Sequence, residues 1–419
     1  MRADSDLAAI RAARKALDEV IDDIRAVPGY EGFLASPAFD DVVRVARQCP
    51  LVYLAAAEQG GVALVVRDDQ VTHVPLERLT ALSLRERVTE HLAIYASGDR
   101  TAWDASLEEI TGWLWPAVMG PVLEALGTAE EAVLVAGGLL GLLPLHAAWT
   151  PDPATPTGRR HALDAMPLSY TPNARSLGSA RALAAQVAPQ RLLAVAEPLP
   201  VSAPRLRRAA AEAEIAAAAF PGRPVVLSGE RATTLAFASG APLADVLHLG
   251  CHGFADLAGP LDSGLLMAGN RRVTLRDLFG LRLRVRLAVL SACETAMPGT
   301  ELPDEVVSLP TGLLQAGVAG VVASQWAVPE LATAMLVALF YRGWRQERMT
   351  PAAALRQAQR WLRDSTNDEK VRFFEDPANA SWLPPAVAED LLEGVAYLEP
   401  EDRDHAAVRV WGAFAHIGA

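Results

Sequence analysis

Residues 245–253 read DVLHLGCHG, and residues 287–295 read LAVLSACET. Each stretch is a short apolar run that ends in small residues, with a histidine or a cysteine at its tip. Runs of this length and composition are typical of strands that are buried on both faces of a parallel sheet. We therefore expect both stretches to be strands of one open α/β sheet.

The sequence around these two stretches alternates between short apolar runs and segments rich in Ala, Leu and Arg. The predicted strands cover residues 132–136, 191–196, 224–227, 245–249, 286–290 and 319–323. The predicted helices cover residues 173–186, 205–219, 232–239, 305–316, 329–344 and 351–363. This alternation predicts a mainly parallel sheet with helices on both faces. The Pro- and Thr-rich stretch 150–160 predicts an exposed loop.

The part of the chain before residue 130 has a different pattern. The predicted helices there cover residues 5–26, 37–48, 82–96 and 105–126. Two β-rich runs, 51–54 and 62–66, lie on either side of a glycine pair and predict a hairpin. We expect residues 1–129 to form a helical and β-hairpin part and residues 130–419 to form the main α/β domain. No repeat of solenoid period is found.

Composition and charge exclude several classes of protein. The chain has 419 residues, and its 38 basic and 50 acidic residues give a net charge of −12, which argues against broad nucleic-acid binding. Its three cysteines are too few for a disulfide framework. No secretory signal and no uncharged apolar run of membrane-spanning length is found. The simplest interpretation is a cytoplasmic protein with reduced thiols.

The ends of the two quoted strands carry the side chains that suggest chemistry. Active sites of open parallel sheets form at the carboxyl ends of the strands. If the two strands are neighbours, His252 and Cys293 lie a few ångströms apart, and an imidazole can then activate a thiol nucleophile. The backbone N–H groups of Gly253 and Cys293 would form an oxyanion hole. The sequence therefore suggests a His252–Cys293 dyad.

The other histidine and cysteine residues of this region have simpler explanations. Cys49 and Cys251 are expected to be small buried side chains, since strand alternation turns Cys251 away from a cleft that His252 faces. His248 is expected to pack against the sheet. A zinc site at Cys251, His252 and Cys293 lacks a fourth ligand, so no metal or other cofactor is predicted.

Seen as longer motifs, these stretches resemble the CHAT domain, a caspase-like module related to separases. The motifs are LHLGCHGFADLAGPLDSGLLMA (247–268), VTLRDLF (273–279), LAVLSACETAMPG (287–299), GLLQAGVAGVVASQWAVPE (312–330) and ALRQAQRWL (354–362). Upstream matches are PGYEGFL (28–34), GGVALVV (60–66), LWPAVMGPVLEAL (114–126), GGLLGLLPLHAAW (137–149) and LSYTPNARSL (168–177), and VRVWGAFAHIG (408–418) matches the end. The resemblance therefore covers nearly the whole chain. The 41-residue interval from His252 to Cys293 also suits the order of caspases, whose histidine lies about 50 residues upstream.

The resemblance implies a caspase-like three-layer fold with a mainly parallel sheet. It also implies a cysteine endopeptidase that acts on a protein or peptide and is activated by a partner or signal, often in prokaryotic defence or cell death. Because no repeat array precedes the domain, the regulator is expected to be a separate chain, such as a repeat-containing protein, or the N-terminal helices. The loop at 296–303, rich in proline and glycine, is expected to become ordered on activation.

Two questions stay open at the level of sequence. The acidic residues Glu301, Asp304 and Glu305 follow the candidate nucleophile, and they are interpreted either as a pocket for a basic substrate side chain or as a solvated acidic loop. The chain itself is either a peptidase or a non-enzymatic interaction module with the same fold. A thiol-dependent hydrolase of small esters is a third candidate, and the acidic loop argues mildly against it.

Overall fold

The computed structural model of the chain describes most of the sequence. The described residues are 2–28, 30, 33, 38–222, 224–254, 259–291 and 308–419. They form two compact units, Met1–Val42 and Val43–Ala419. The first unit contains a long helix that ends at Arg25. The Nε atom of Arg25 donates a hydrogen bond to the carbonyl oxygen of Phe33 at 2.8 Å.

The secondary structure alternates between strands and helices along most of the second unit. The strands are β1 (Leu51–Ala57), β2 (Gly60–Arg67), β3 (Gln70–Leu76), β4 (Ala132–Ala136), β5 (Trp149–Pro151), β6 (Arg159–His161), β7 (Leu168–Tyr170), β8 (Leu192–Pro198), β9 (Val225–Gly229), β10 (Val246–Gly250), β11 (Gly253–Phe254), β12 (Gly264–Met267), β13 (Arg271–Thr274), β14 (Leu287–Leu290), β15 (Gly320–Ser324) and β16 (Phe414–Gly418). The helices are α1 (Arg2–Arg25), α2 (Phe39–Ala46), α3 (Ala81–Ser97), α4 (Arg100–Leu114), α5 (Gly120–Leu126), α6 (Ala162–Ala165), α7 (Ala174–Gln186), α8 (Ala209–Ala218), α9 (Thr234–Gly240), α10 (Leu275–Gly280), α11 (Leu309–Gln315), α12 (Glu330–Tyr341), α13 (Pro351–Asp364), α14 (Asn367–Glu375), α15 (Pro377–Ala380), α16 (Pro385–Ala396) and α17 (Val408–Trp411).

One large sheet organises the second unit. Its described strands lie in the order β3-β2-β1-β4-β7-β16-β15-β14-β10-β8-β9, and most neighbouring pairs are parallel. The β1–β2–β3 meander is antiparallel and continues the sheet, because β1 pairs in parallel with β4. The sequence predictions of a mainly parallel sheet and of a hairpin within residues 51–66 are confirmed. The predicted boundary near residue 130 stays a prediction.

Helices cover both faces of this sheet because its strands are apolar on both faces. In β10, Val246 packs into the cluster that includes residues of α8, α12 and α13, whereas Leu247 and Leu249 pack into the cluster that includes residues of α9, α10 and α11. Successive side chains of a strand point to opposite faces, so one strand serves both clusters. The result is the three-layer α/β architecture expected from the sequence.

The structure differs locally from the sequence predictions in three places. The stretch 150–160, predicted as a loop, begins and ends in the short antiparallel strands β5 and β6. The helix predicted over 105–126 is interrupted by a π-helical turn at Trp115–Met119, which includes Pro116 and separates α4 from α5; a proline cannot donate a backbone hydrogen bond. The helix predicted from residue 205 begins at Ala209, and the residues before it form a loop. Within the described part of the chain, no helix has both the length and the apolar character needed to cross a membrane.

Candidate active site

The ends of β10 and β14 lie side by side. The two strands pair in parallel, with Val246 opposite Leu287 and Leu249 opposite Leu290. Asp245 anchors the start of β10 by accepting hydrogen bonds from the backbone N–H groups of Gln190 at 3.2 Å and Arg191 at 2.8 Å. The carboxyl ends of both strands therefore reach the same edge of the sheet.

His252 and Gly253 lie just beyond the end of β10. His252 follows Leu249 by three residues, and Ser291, the residue after β14, is the last one described before residue 308. The other predicted site residues, Cys293, Glu301, Asp304 and Glu305, lie outside the described residues. The structure thus gives the surroundings of the candidate base and of the strand that leads to the candidate nucleophile.

A backbone carbonyl group orients the ring of His252. The Nε2 atom of His252 donates a hydrogen bond to the carbonyl oxygen of Pro204 at 2.7 Å. A carbonyl oxygen only accepts, so this contact fixes the proton on Nε2 in the neutral ring. Nδ1 then carries the lone pair, and it has no hydrogen bond to a residue that the structure describes. Nδ1 is therefore the hydrogen-bond acceptor of the neutral ring.

The loop that carries Pro204 is held by a charged pair. Glu197, near the end of β8, accepts hydrogen bonds from the Nε and Nη2 atoms of Arg205, the latter at 2.9 Å, and from the backbone N–H of Leu206 at 3.1 Å. The Arg205 hydrogen bonds lower the pKa of Glu197 against the opposing effect of burial, and the backbone hydrogen bond from Leu206 adds to this lowering. Glu197 at the end of β8 therefore holds the loop whose Pro204 carbonyl group orients His252.

Gly253 begins the small strand β11. This strand pairs with β12, with Gly253 opposite Leu265, and the carbonyl oxygen of His252 accepts from the backbone N–H of Leu266 at 2.8 Å. The peptide that follows His252 is thus fixed to a second, three-stranded sheet of β11, β12 and β13. Whether its N–H serves an oxyanion hole stays a prediction.

The expectations for the neighbouring cysteine and histidine residues are confirmed. Cys251 is fully buried among apolar side chains, and burial raises its pKa to about 12. Cys49 is buried as well, and its sulfur accepts from Arg181 at 2.7 Å. His248 is fully buried, and its Nδ1 atom lies 3.3 Å from the hydroxyl of Tyr341. The described residues include no cluster of three or more potential metal ligands.

The sequence analysis missed a buried carboxyl group beneath the site. Glu212 of α8 is 4% exposed, it hydrogen bonds to the side chain of Ser291, and its Oε2 atom lies 3.8 Å from Nε2 of His248. Burial raises its pKa to about 8, the Ser291 hydrogen bond opposes this rise, and Glu330 adds to it. Burial also lowers the pKa of His248 to about 3. The neutral form of each group therefore predominates at pH 7.

Comparisons with known proteins agree with this geometry. The family model "CHAT domain" matches residues 108–419. Two crystal structures of the Saccharomyces cerevisiae separase–securin complex, at 3.0 and 2.6 Å, contain a chain that is similar in fold. The TM-scores are 0.57 and 0.56 at 7% and 8% identity, over 90% of this chain and 30% of those chains. The chain thus spans about a third of the length of these structures.

A weaker similarity reaches a bacterial protein. The Arg-specific cysteine proteinase gingipain R (RgpB) gives a TM-score of 0.38 at 8% identity, over 75% of this chain and 67% of that one. A comparison with curated proteins finds no match. The described architecture is a caspase-like α/β fold, and the family model covers well over half of the sequence. The chain belongs to the CHAT domain family.

Proposed function

We propose that this protein is a cysteine endopeptidase whose catalytic groups are His252 and Cys293. The observation that supports this most is the register of β10 and β14. Leu249 lies opposite Leu290 at the last pair of the two strands, and His252 and Cys293 each follow that pair by three residues in the sequence. Leu290 follows its partner Leu249 by 41 residues, and Cys293 follows His252 by the same 41 residues.

The proposed chemistry uses the tautomer that the Pro204 carbonyl selects. Nδ1 of His252 removes the thiol proton of Cys293, and the thiolate attacks the carbonyl carbon of the scissile peptide. The N–H groups of Gly253 and Cys293 stabilise the oxyanion of the tetrahedral intermediate. The imidazolium then returns its proton to the leaving amine, and water hydrolyses the thioester with the imidazole as base.

Substrate preference and regulation belong to the same proposal. Glu301, Asp304 and Glu305 are proposed to lie near the substrate and to favour a basic side chain by charge complementarity. Family membership supports a cytoplasmic enzyme of a prokaryotic defence or cell-death system that a separate protein activates, for example a repeat-containing regulator. A peptide library that contains matched lysine, arginine and alanine series tests the preference.

The experiment that tests the activity compares variants with a matched cysteine control. We expect Cys293→Ala and His252→Ala to lose hydrolysis of a proteome-derived peptide library, and Cys251→Ala to keep it. Melting temperatures verify that all three variants fold. Hydrolysis that survives in Cys293→Ala would contradict the proposal. If the wild-type chain hydrolyses nothing with or without candidate partner proteins, the fold serves as a non-enzymatic interaction module instead.

A further inference from the structure

We propose that Glu212 is a positioning residue that acts on the candidate nucleophile through Ser291 and does so in its neutral, protonated form. The proposal rests on the proposed role of Cys293. Glu212 belongs to α8, which packs against β8 and β10, and Ser291 connects β14 to the nucleophile segment. The contact between Glu212 and Ser291 therefore joins the helix layer to the residue two positions before Cys293.

The described surroundings of Glu212 offer no positive charge to balance an ionised carboxylate. Among the described residues, the one basic group within 4.0 Å of its oxygens is the His248 ring, at 3.8 Å, and that ring is neutral. Within the described part of the chain, the Oε2 atom of Glu212 and the Nε2 atom of His248 have no hydrogen-bond partner. A buried charge without a partner is strongly unfavourable, so the neutral carboxyl group is favoured.

The elements packed around Glu212 carry few ionisable groups, and none of them reverses this balance. Tyr341 of α12 is buried, and burial raises its pKa, so its hydroxyl is neutral. Glu330, at the start of α12, accepts a hydrogen bond from the backbone N–H of Arg208 at 2.8 Å, and its negative charge raises the pKa of Glu212 further. The guanidinium group of Arg208 is paired with Asp390 at 2.9 Å.

Ionisation of Glu212 would lower the reactivity of Cys293 in two ways. A negative charge next to Ser291 disfavours formation of a thiolate nearby, and a buried carboxylate draws water towards the end of β14. Both effects lower the reactivity of Cys293. Because the pKa of Glu212 is raised to about 8, roughly a tenth of the molecules keep the proton at pH 9.

The test uses thiol reactivity, which requires no substrate. Iodoacetamide alkylation of Cys293 is followed by mass spectrometry from pH 6 to pH 9.5 in the full chain and in Glu212→Gln. The thiolate fraction raises both rates with pH, so the informative quantity is their ratio. We expect the wild-type rate, relative to that of Glu212→Gln, to fall about tenfold between pH 6 and pH 9. The matched control Glu214→Gln changes an exposed residue of the same helix. The wild-type rate relative to that of Glu214→Gln should not change with pH.

If Glu212 had only a structural role, Glu212→Gln would lower the melting temperature but the ratio of alkylation rates would not depend on pH. A ratio that stays constant from pH 6 to pH 9 therefore overturns the proposal. Ser291→Ala removes the hydrogen bond that lowers the pKa of Glu212, so in that background the fall of the ratio should move to higher pH. If Glu212→Gln does not fold, the comparison of Ser291→Ala with the wild type carries the test alone. Absence of peptide hydrolysis would defeat the proposed function, whereas the alkylation ratio would still decide the role of Glu212.

Discussion

Native alkylation should distinguish Cys251 from Cys293. Burial raises the pKa of Cys251 from the ordinary thiol value of 9.0 to about 12. At pH 8 this difference lowers the thiolate fraction of Cys251 about a thousandfold, and the thiolate is the form that iodoacetamide attacks. The side chain is also fully buried, so alkylation further requires local opening. We expect Cys293 to be alkylated at least a thousand times faster than Cys251.

The assay follows each cysteine peptide by mass spectrometry after timed exposure of the folded protein to iodoacetamide at pH 8. A sample unfolded in guanidinium chloride is the control, because all three cysteines should then react at similar rates. Cys293→Ala should leave slow alkylation of Cys49 and Cys251 in the native protein. Alkylation of native Cys251 at the rate of Cys293 would refute the assignment of strand faces. Equally slow alkylation of Cys293 would refute its role as a reactive thiol.

Three further predictions concern the scaffold of the site. Gly264→Ala should lower the free energy of unfolding by about 1–3 kcal/mol in chemical denaturation, because the added methyl carbon would lie 2.0 Å from the carbonyl oxygen of Val273. The control is Gly280→Ala, whose added carbon meets no atom within 4 Å. Its free energy of unfolding should stay near that of the wild type. The hydrogen bonds from Arg191 lower the pKa of Asp245 against the effect of burial, so its stabilising contribution is complete above the ordinary carboxyl pKa and is lost as the pH falls through the folded-state value. Asp245→Asn should therefore lower the melting temperature at pH 7 and flatten its acid dependence, and an unchanged acid limb would contradict this. Glu197→Gln should reduce peptide hydrolysis through kcat, because the loop that holds His252 loses its ion pair, and a change confined to KM would argue against a positioning role.

The strands that carry the site were predictable because they are short, mostly apolar and followed by small residues. The boundaries predicted for β10 and β14 agree with the structure within one residue. Strand alternation also predicted the burial of Cys251 correctly. These features depend on local pattern, which a single sequence contains.

The groups that hold the site were not predictable, because they depend on packing between distant segments. Pro204 lies 48 residues before His252 in the sequence. It binds the histidine through a backbone carbonyl group, which no residue type in the sequence indicates. Glu212 and Glu214 lie two residues apart in the same Ala-rich helix, and only the packing of α8 on the sheet decides that the first is buried and the second exposed. The loop before Ala209 is also held by a distant residue, because Glu197 of β8 accepts hydrogen bonds from Arg205 and Leu206.

The most direct measurement of the central claim is the hydrolysis of a proteome-derived peptide library by the full chain, with each fragment identified by mass spectrometry, in the presence and absence of candidate partner proteins. The account predicts new peptide termini for the wild type and for Cys251→Ala, and none for folded Cys293→Ala or folded His252→Ala. New termini of the same sequence and yield in Cys293→Ala would contradict it.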